Sequence, residues 1–127
     1  LQALYAWDVR GAGADLPRIA TIVWDDLAIA PDERGFALAL VMLVAAERAT
    51  IDDELSEVTT NWRLERLGHI ERSVLRLAAA ELMQGGTPPR GVIQECVRLA
   101  ERYGTAHSAR FVNGVIDALA RKMGRLA

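Results

Sequence analysis

Apolar residues recur at intervals of three and four along almost the whole chain, and this spacing places them on one face of an α-helix. No stretch alternates apolar and polar residues for long enough to predict a strand. Glycine and proline divide the pattern into segments, because glycine often follows the last turn of a helix and proline is tolerated in the first. The pattern predicts an all-α fold of six or seven helices. They are expected at about 1–10, 17–27, from 31 to beyond 44, 51–60, 70–84, 88–103 and 108–124, with an irregular segment or short turn at 61–67.

The composition is that of one globular domain spanning residues 1–127. Hydrophobic residues make up 51% of the chain and charged residues 25%, which argues against disorder. The one cysteine, Cys96, cannot form an internal disulfide, and the first residues lack a secretory signal pattern, so we expect a cytoplasmic location. The longest apolar run, residues 36–46, is far shorter than the roughly 20 residues of a membrane span. It predicts a buried helix and no membrane contact.

Charge is distributed unevenly along the chain, although the formal net charge is only −2. Residues 1–60 carry four arginines against eleven acidic residues, a net −7, and residues 61–127 carry eleven basic against six acidic residues, a net +5. Contacts with phosphate depend on local lysine and arginine and not on the total charge. The distribution is compatible with RNA binding by the basic half, and equally with attraction between the two halves.

The sequence offers little that could carry catalysis. His69 and His107 are far apart in sequence, with no His or Cys cluster at metal-ligand spacing, and no phosphate-binding loop or dinucleotide motif is present. Cys96 falls on the apolar arc of its helix, which favours a buried structural thiol over a nucleophile. We therefore predict no catalytic residue, no metal site and no cofactor.

Glu81 projects into the apolar arc of the helix over 70–84. A lone carboxylate is costly to bury, so it should be paired or hydrogen-bonded. We favour a hydrogen bond that anchors a neighbouring helix over a catalytic acid, because no catalytic partner group is present.

Arginines on two helices are candidates for contact with an anionic partner. Arg72 and Arg76 lie one turn apart on the side opposite the apolar arc, where they form either an ordinary solvated face or a phosphate-binding face. In the last helix, an exposed arc is predicted to contain Arg110, Gly114, Asp117 and Arg121. Phe111 lies at its boundary, where an aromatic ring could stack on a base or pack at the core edge. Gly114 costs helix stability, so we expect close approach by a neighbouring helix or a ligand.

Four ordered blocks of the sequence resemble the NusB family. The blocks are Leu1-Gln-Ala-Leu-Tyr-Ala-Trp7, Arg72-Ser-Val-Leu-Arg-Leu-Ala-Ala-Ala-Glu-Leu82, Thr87-Pro-Pro-Arg-Gly-Val-Ile-Gln-Glu-Cys-Val-Arg-Leu-Ala100 and Phe111-Val-Asn-Gly-Val-Ile-Asp117. Their order and spacing fit over nearly the whole chain, although residues 8–60 match only in helical pattern. The resemblance implies a compact helical domain built as two packed bundles.

The resemblance also implies a non-catalytic function in transcription antitermination. NusB proteins bind single-stranded boxA RNA of ribosomal RNA leaders together with NusE, a small ribosomal subunit protein, and join the RNA polymerase complex. By resemblance, Tyr5 and Glu71 match positions near the NusE and RNA contacts, and Phe111, with Arg110 beside it, matches a position important for RNA. His107 stands where some relatives carry an acid. The arginine-rich segment with which the family usually begins is expected to be missing.

Particular RNA contacts are expected, and two alternative functions stay open. We expect phosphate contacts from Arg72, Arg76, Arg110 and Arg121, and base stacking from Tyr5 or Phe111. The first alternative is the NusB-like RNA-binding domain of a ribosomal RNA cytosine methyltransferase. The second is a structural homodimer with Trp24 or Trp62 in its interface.

Overall fold

The computed structural model describes residues 1–13, 15–59 and 64–126, and within them all regular structure is helical. This confirms the predicted all-α fold. The α-helices are α1 (Gln2–Val9), α2 (Leu16–Asp26), α3 (Gly35–Val58), α4 (His69–Gln84), α5 (Pro89–Tyr103) and α6 (Ala106–Lys122). Two single-turn 3-10 helices, Pro31–Glu33 and Leu64–Arg66, precede α3 and α4. Trp62 lies outside the described residues.

The helices pack as two groups of three, α1–α3 and α4–α6, as the resemblance implies. α1 contacts α2 and α2 contacts α3, while α4, α5 and α6 all contact one another. α4 joins the groups, because it also packs against α1 and α3. The core is apolar, and its fully buried side chains include Ile51, Leu55, Leu75, Leu82, Val92, Cys96, Val112, Ile116 and Leu119. Because α4 has neighbours on several sides, little of its surface is left for solvent.

The helices predicted from residue 31 and at 51–60 are one helix, α3. No glycine or proline interrupts residues 36–58, so the backbone has no residue that would end the helix. The helix is kinked at Glu47, whose dihedrals (φ −113°, ψ 22°) depart from helical values. Pro31 opens only the separate 3-10 turn.

The prediction that the apolar run at residues 36–46 forms a buried helix is wrong. Leu40, Val41 and Val44 enter the core, but Phe36 and Met42 are 56% and 51% exposed. The first half of α3 lies at the surface of the α1–α3 group, so only one side of it meets other helices. In the part of the chain that the structure covers, no helix is both long and apolar enough to cross a membrane.

The start of α6 is fixed by a reciprocal cap and by the glycine before it. The Thr105 hydroxyl accepts from the Ser108 backbone N–H at 3.1 Å, and the Ser108 hydroxyl accepts from the Thr105 N–H at 3.3 Å. A Cβ at Gly104 would lie 2.9 Å from the Ala100 carbonyl oxygen and 3.0 Å from Ser108 Oγ. Only glycine therefore allows α5 to end this close to α6, and the turn holds Ser108 against α4.

Candidate nucleic-acid interface

Asp8 lies at the centre of a buried ionic cluster that joins α1, α3 and α4. We call Asp8, Asp52, His69, Arg72 and Arg76 the Asp8 cluster. Oδ1 of Asp8 accepts from Arg72 Nε at 2.8 Å and from Arg76 Nη1 at 2.7 Å, while Oδ2 accepts from Arg72 Nη2 at 2.7 Å. Oδ2 also lies 2.6 Å from Nδ1 of His69. One carboxylate thus receives hydrogen bonds from three side chains of α4.

The prediction that Arg72 and Arg76 form a solvent-facing side of α4 is wrong. Arg76 is 4% exposed, and its Nε and Nη2 donate to the Asp52 carboxylate at 2.9 and 3.0 Å. Its guanidinium also lies 5.1 Å from the centre of the Trp7 ring. The side of α4 opposite the α5–α6 packing is covered by α1 and α3, so the two arginines are held by acidic side chains inside the protein.

The charge of Asp8 is stabilised despite its burial. Burial alone would raise the pKa of this carboxyl, but hydrogen bonds from Arg72 and His69 and the positive charges of Arg72 and Arg76 outweigh it. The pKa of Asp8 therefore lies below its ordinary value. Asp8 was not among the predicted site residues, because its partners Arg72 and Arg76 are 64 and 68 residues away in sequence.

A groove beside α6 brings Phe111 together with the segment that leads into α4. This Phe111 groove, with a cavity of about 190 Å³, is lined by Arg66, Leu67, Gly68, Glu71, His107, Ser108 and Phe111. Phe111 is partly buried and packs at the core edge, while Arg66 and His107 are exposed. An apolar ring beside an arginine, a histidine and a carboxylate has the components that stack and hydrogen-bond an unpaired base. Arg66 was missed because it lies in an irregular segment that helical periodicity does not describe.

Glu71 closes one side of the Phe111 groove through a hydrogen bond to α6. The Ser108 hydroxyl donates to its Oε1 atom, which ties the first turn of α4 to the first turn of α6. The same carboxylate folds over Gly68, where an added Cβ would clash with Oε2. Glu71 is thus a fixed acceptor at the groove and not a freely rotating surface acid.

Tyr5 lies near the same end of α4, on the exposed side of α1. Its side chain is 42% exposed, and its ring meets the His69 ring edge-on, with centroids 6.0 Å apart and planes at 82°. Since His69 is held by Asp8, the Tyr5 ring has a defined neighbour. The structure therefore places Tyr5 where a flat ligand can reach it.

The predicted exposed arc of α6 is confirmed for its two arginines. Arg110 is exposed beside a shallow pocket that also includes Glu101 and Asn113. Arg121 is exposed too, and its Nε donates to Asp117 at 2.9 Å. The expectation that a neighbouring helix approaches Gly114 is wrong, because a Cβ built there meets no described atom within 4 Å. A ligand remains the interpretation that would explain glycine at this position.

Glu81, in the last turn of α4, and Cys96 of α5 lie near the end of α4 that is away from Asp8. Cys96 is completely buried, and burial first, then the negative charges of Glu81 and Glu95, raise the pKa of its thiol to about 12. The prediction of a buried structural thiol is confirmed. Glu81 is only half-buried, and within the described ranges it makes no hydrogen bond to a neighbouring helix, so the predicted anchoring bond is wrong. Burial and the charge of Glu95 raise the pKa of Glu81.

The unequal charges of the two halves meet at several ion pairs. Asp8 and Asp52 of the acidic half pair with arginines of α4, and Lys122 of α6 pairs with Glu54, at 2.7 Å, and with Glu57. Attraction between the halves therefore accounts for part of the charge pattern. The arginines left at the surface of the basic half, Arg66 and Arg110 among them, are available for an anionic ligand.

Comparison with known proteins identifies close relatives of the whole chain. The NusB family model matches residues 1–121. A transcription antitermination protein NusB from Sorangium cellulosum is 42% identical over 127 residues, covering 99% of this chain and 89% of the relative. Its name describes transcription antitermination and not a catalysed reaction, in agreement with the predicted lack of enzymatic activity.

Solved structures share the fold. The NusB of T. maritima superposes with a TM-score of 0.86 and 32% identity, covering 95% of this chain and 84% of the other. A chain from the crystal structure of the antitermination factors NusB and NusE in complex with double-stranded RNA superposes with a TM-score of 0.83 and 30% identity, covering 94% and 89% of the two chains. Sequence, fold and the order of the four motif blocks thus agree, and the chain belongs to the NusB family.

Proposed function

We propose that this protein binds RNA together with NusE and acts in transcription antitermination in the bacterial cytoplasm, where ribosomal RNA is transcribed. The RNA is a single-stranded boxA-type element of a ribosomal RNA leader, and the assembled complex joins RNA polymerase. The observation that carries the proposal is the shared fold with a chain of the NusB–NusE–RNA complex, aligned over 94% of this protein. The name of the Sorangium relative favours this function over that of a methyltransferase domain.

The proposed RNA surface extends from Tyr5 across the Phe111 groove to Arg110. Tyr5 and Phe111 supply two aromatic faces, and Arg66 and Arg110 supply positive charge beside the groove. Stacking on aromatic rings combined with phosphate contacts is how proteins commonly hold single-stranded RNA. Arg121 at the far end of α6 adds a phosphate contact when its pair with Asp117 opens to RNA.

Arg72 and Arg76 have a different place in this proposal. Their guanidinium groups are already bonded to Asp8 and Asp52, so a phosphate would have to displace a buried carboxylate. Displacement of that kind leaves an acid without its partner inside the protein, which is costly. We therefore assign the two arginines to the support of the surface. Glu71 faces the groove and is proposed to contact RNA or NusE at its margin.

The test is RNA binding measured by fluorescence anisotropy, with a boxA-like single strand, a scrambled strand and a duplex, each with and without NusE. Tighter binding of the boxA strand that NusE strengthens is expected. Equal binding of all three RNAs, with NusE present, would overturn the assignment of boxA recognition. Absence of any RNA binding would overturn the proposal as a whole.

Two substitutions locate the surface. Phe111→Leu keeps an apolar side chain and removes the ring, and loss of one stacked base costs about 1–3 kcal/mol of binding energy. Arg110→Ala should weaken binding to every RNA and lower the slope of log K against log salt by about 1. Arg98→Ala is the control, because Arg98 is an exposed arginine on α5 that pairs with Glu95 across one turn of the same helix. Unchanged affinity in both surface variants would show that RNA binds elsewhere.

A further inference from the structure

We propose that Asp8 is the positioning residue of the RNA-binding surface: a buried carboxylate that holds both parts of that surface in place without touching RNA. The inference rests on the proposed function, since it concerns the same surface. Asp8 is 5% exposed, so RNA cannot reach it in the folded protein. Its carboxylate is connected to the surface by two routes, one through His69 and one through Arg72, and Nη2 of Arg72 also lies 3.3 Å from Nδ1 of His69.

The first route runs through His69 to Tyr5. Nδ1 of His69 lies 2.6 Å from Oδ2 of Asp8, which fixes the direction of the imidazole ring. That ring packs against the exposed Tyr5 ring in a T-shaped arrangement. Tyr5 itself belongs to α1, three residues before Asp8. The carboxylate therefore determines what the Tyr5 ring packs against.

The second route runs through Arg72 to the Phe111 groove. Nε and Nη2 of Arg72 donate to Asp8, and its remaining nitrogen, Nη1, donates to the carbonyl oxygens of Leu64 and Leu67 at 3.0 and 2.9 Å. These carbonyls belong to the segment 64–68, which supplies Arg66, Leu67 and Gly68 to the groove. A single guanidinium thus bonds Asp8 on one side and the groove segment on the other. If the carboxylate no longer fixes the guanidinium, the segment loses its two side-chain hydrogen bonds in that geometry.

The direction in which RNA affinity changes on replacing Asp8 distinguishes a positioning role from a purely electrostatic one. Asp8 is negative and lies beneath a surface that must attract phosphate, so its charge alone opposes RNA binding. If only the electrostatic field of Asp8 mattered, replacing it by a neutral residue would strengthen RNA binding. A positioning role predicts the opposite, because the surface groups would lose their arrangement.

The test compares Asp8→Asn with Asp52→Asn. Asparagine has nearly the size of aspartate, but each oxygen of Asp8 accepts from two N–H donors. The amide NH2 group of asparagine is itself a donor, so in either orientation it would face two other donors. Asp52→Asn is the matched control: it also removes a carboxylate partner of Arg76, yet Asp52 bonds neither Arg72, His69 nor the groove segment. Both variants are compared at a temperature where circular dichroism shows them folded.

Asp8→Asn should weaken binding of the boxA-like strand by about tenfold, within the usual range of coupling between linked groups, whereas Asp52→Asn should not weaken it. Amide hydrogen exchange in the segment 64–68 should accelerate in Asp8→Asn alone. If Asp8→Asn does not fold, a second variant, Arg72→Lys, tests the proposal instead. Lysine keeps the charge but cannot hold a carboxylate and two carbonyls in one plane, so it too should weaken RNA binding and accelerate exchange.

The outcomes distinguish this inference from the function on which it rests. Wild-type protein that binds no RNA overturns both. Wild-type protein that binds RNA, together with an Asp8→Asn variant that binds equally well or more tightly, overturns the positioning role alone. The same holds when Asp52→Asn weakens binding as much as Asp8→Asn, because the effect would then reflect general stability. Arg72→Lys with unchanged affinity and exchange also overturns it.

Discussion

Two acidic side chains lie at opposite ends of α4, and their surroundings differ: Asp8 reaches the first half from α1, and Glu81 belongs to α4 itself. Asp8 meets the first half of the helix and accepts hydrogen bonds from Arg72 and Arg76 with His69 alongside. Glu81 lies in the second half, near Cys96 and Glu95, and of the residues that the structure describes none bonds its carboxylate. Burial acts on both in the same direction and raises the pKa of a carboxyl. The partners determine the outcome: the pKa of Asp8 is lowered and that of Glu81 is raised.

The contrast shows that α4 serves two purposes. Its first half is cross-linked by charged groups to α1, α3 and the segment 64–68, close to the proposed RNA surface. Its second half packs against α5 through small apolar residues such as Ala78 and Cys96, which are fully buried. Hydrogen-bonded charges have directional geometry, whereas apolar contacts tolerate small shifts. The proposed RNA surface therefore lies over the half of α4 whose contacts are directional.

The largest expected effect comes from Arg76→Met, which removes the cation shared by Asp8 and Asp52. Methionine fills much of the volume, but it leaves two acids with fewer partners inside the protein. Breaking a buried pair in this way should lower the free energy of unfolding by about 3 kcal/mol. Urea unfolding at neutral pH measures it. Arg98→Met is the control, and an exposed arginine of this kind should change stability by less than about 0.5 kcal/mol. Similar values for the two variants would show that the Asp8 cluster adds nothing to stability.

A smaller effect is expected from Asp8→Asn, and it should depend on pH. Asp8 has a pKa below its ordinary value, so its contribution is present above the ordinary aspartate pKa and is lost as pH falls through its lowered pKa in the folded state. The substitution should cost about 2 kcal/mol near neutral pH, the scale of a hydrogen bond to a charged group. In acid the cost should shrink, because the wild-type carboxyl is then protonated as well. Urea unfolding of both proteins over a pH series measures the difference. A cost that stays constant into acid would contradict the ionic account.

The sequence predicted the helices well because helical periodicity is a local property. The sequence did not predict the surroundings of α4. The apolar arc of a helix shows one side that packs against other helices, but it does not show whether further helices cover the remaining sides. Arg72 and Arg76 are opposite that arc and are nevertheless covered, by α1 and α3. Their partner Asp8 is 64 and 68 residues away in sequence. No periodicity within one helix can indicate such a pairing.

The same reason explains the errors at α3 and Glu81. Residues 36–46 are apolar on all sides, a pattern typical of a buried helix, yet the helix lies at the edge of its group and Phe36 and Met42 stay exposed. Glu81 was predicted to be paired because its arc is apolar, but it lies near enough to solvent to remain unbonded. Tyr5 came from the family resemblance, and Phe111 came both from its place at the edge of the exposed arc of α6 and from that resemblance. The groove between Phe111 and Arg66 became visible only in three dimensions.

A smaller effect than that of Asp8→Asn is expected at Glu81, and it has the opposite sign. A carboxyl with a raised pKa stabilises the fold only while protonated: its contribution is complete below the ordinary glutamate pKa and is lost as pH rises through the raised value. Glu81→Gln, which is neutral at every pH, should therefore be more stable than the wild type at neutral pH, and this gain should disappear in acid. Thermal unfolding at the two pH values measures it. A loss at neutral pH would mean that the Glu81 carboxylate is stabilised by a partner after all.

Glu95→Gln separates the two causes of the raised pKa. This substitution removes the negative charge that faces Glu81 and leaves the burial of Glu81 unchanged. It also breaks the exposed pair with Arg98, which is worth little. Because burial is the larger cause and Glu95 the smaller, Glu95→Gln should give a smaller gain than Glu81→Gln at neutral pH. An equal or larger gain would show that repulsion between the two acids dominates. The two ends of α4 would then differ in the charge of their neighbours and not in how far their acids are buried.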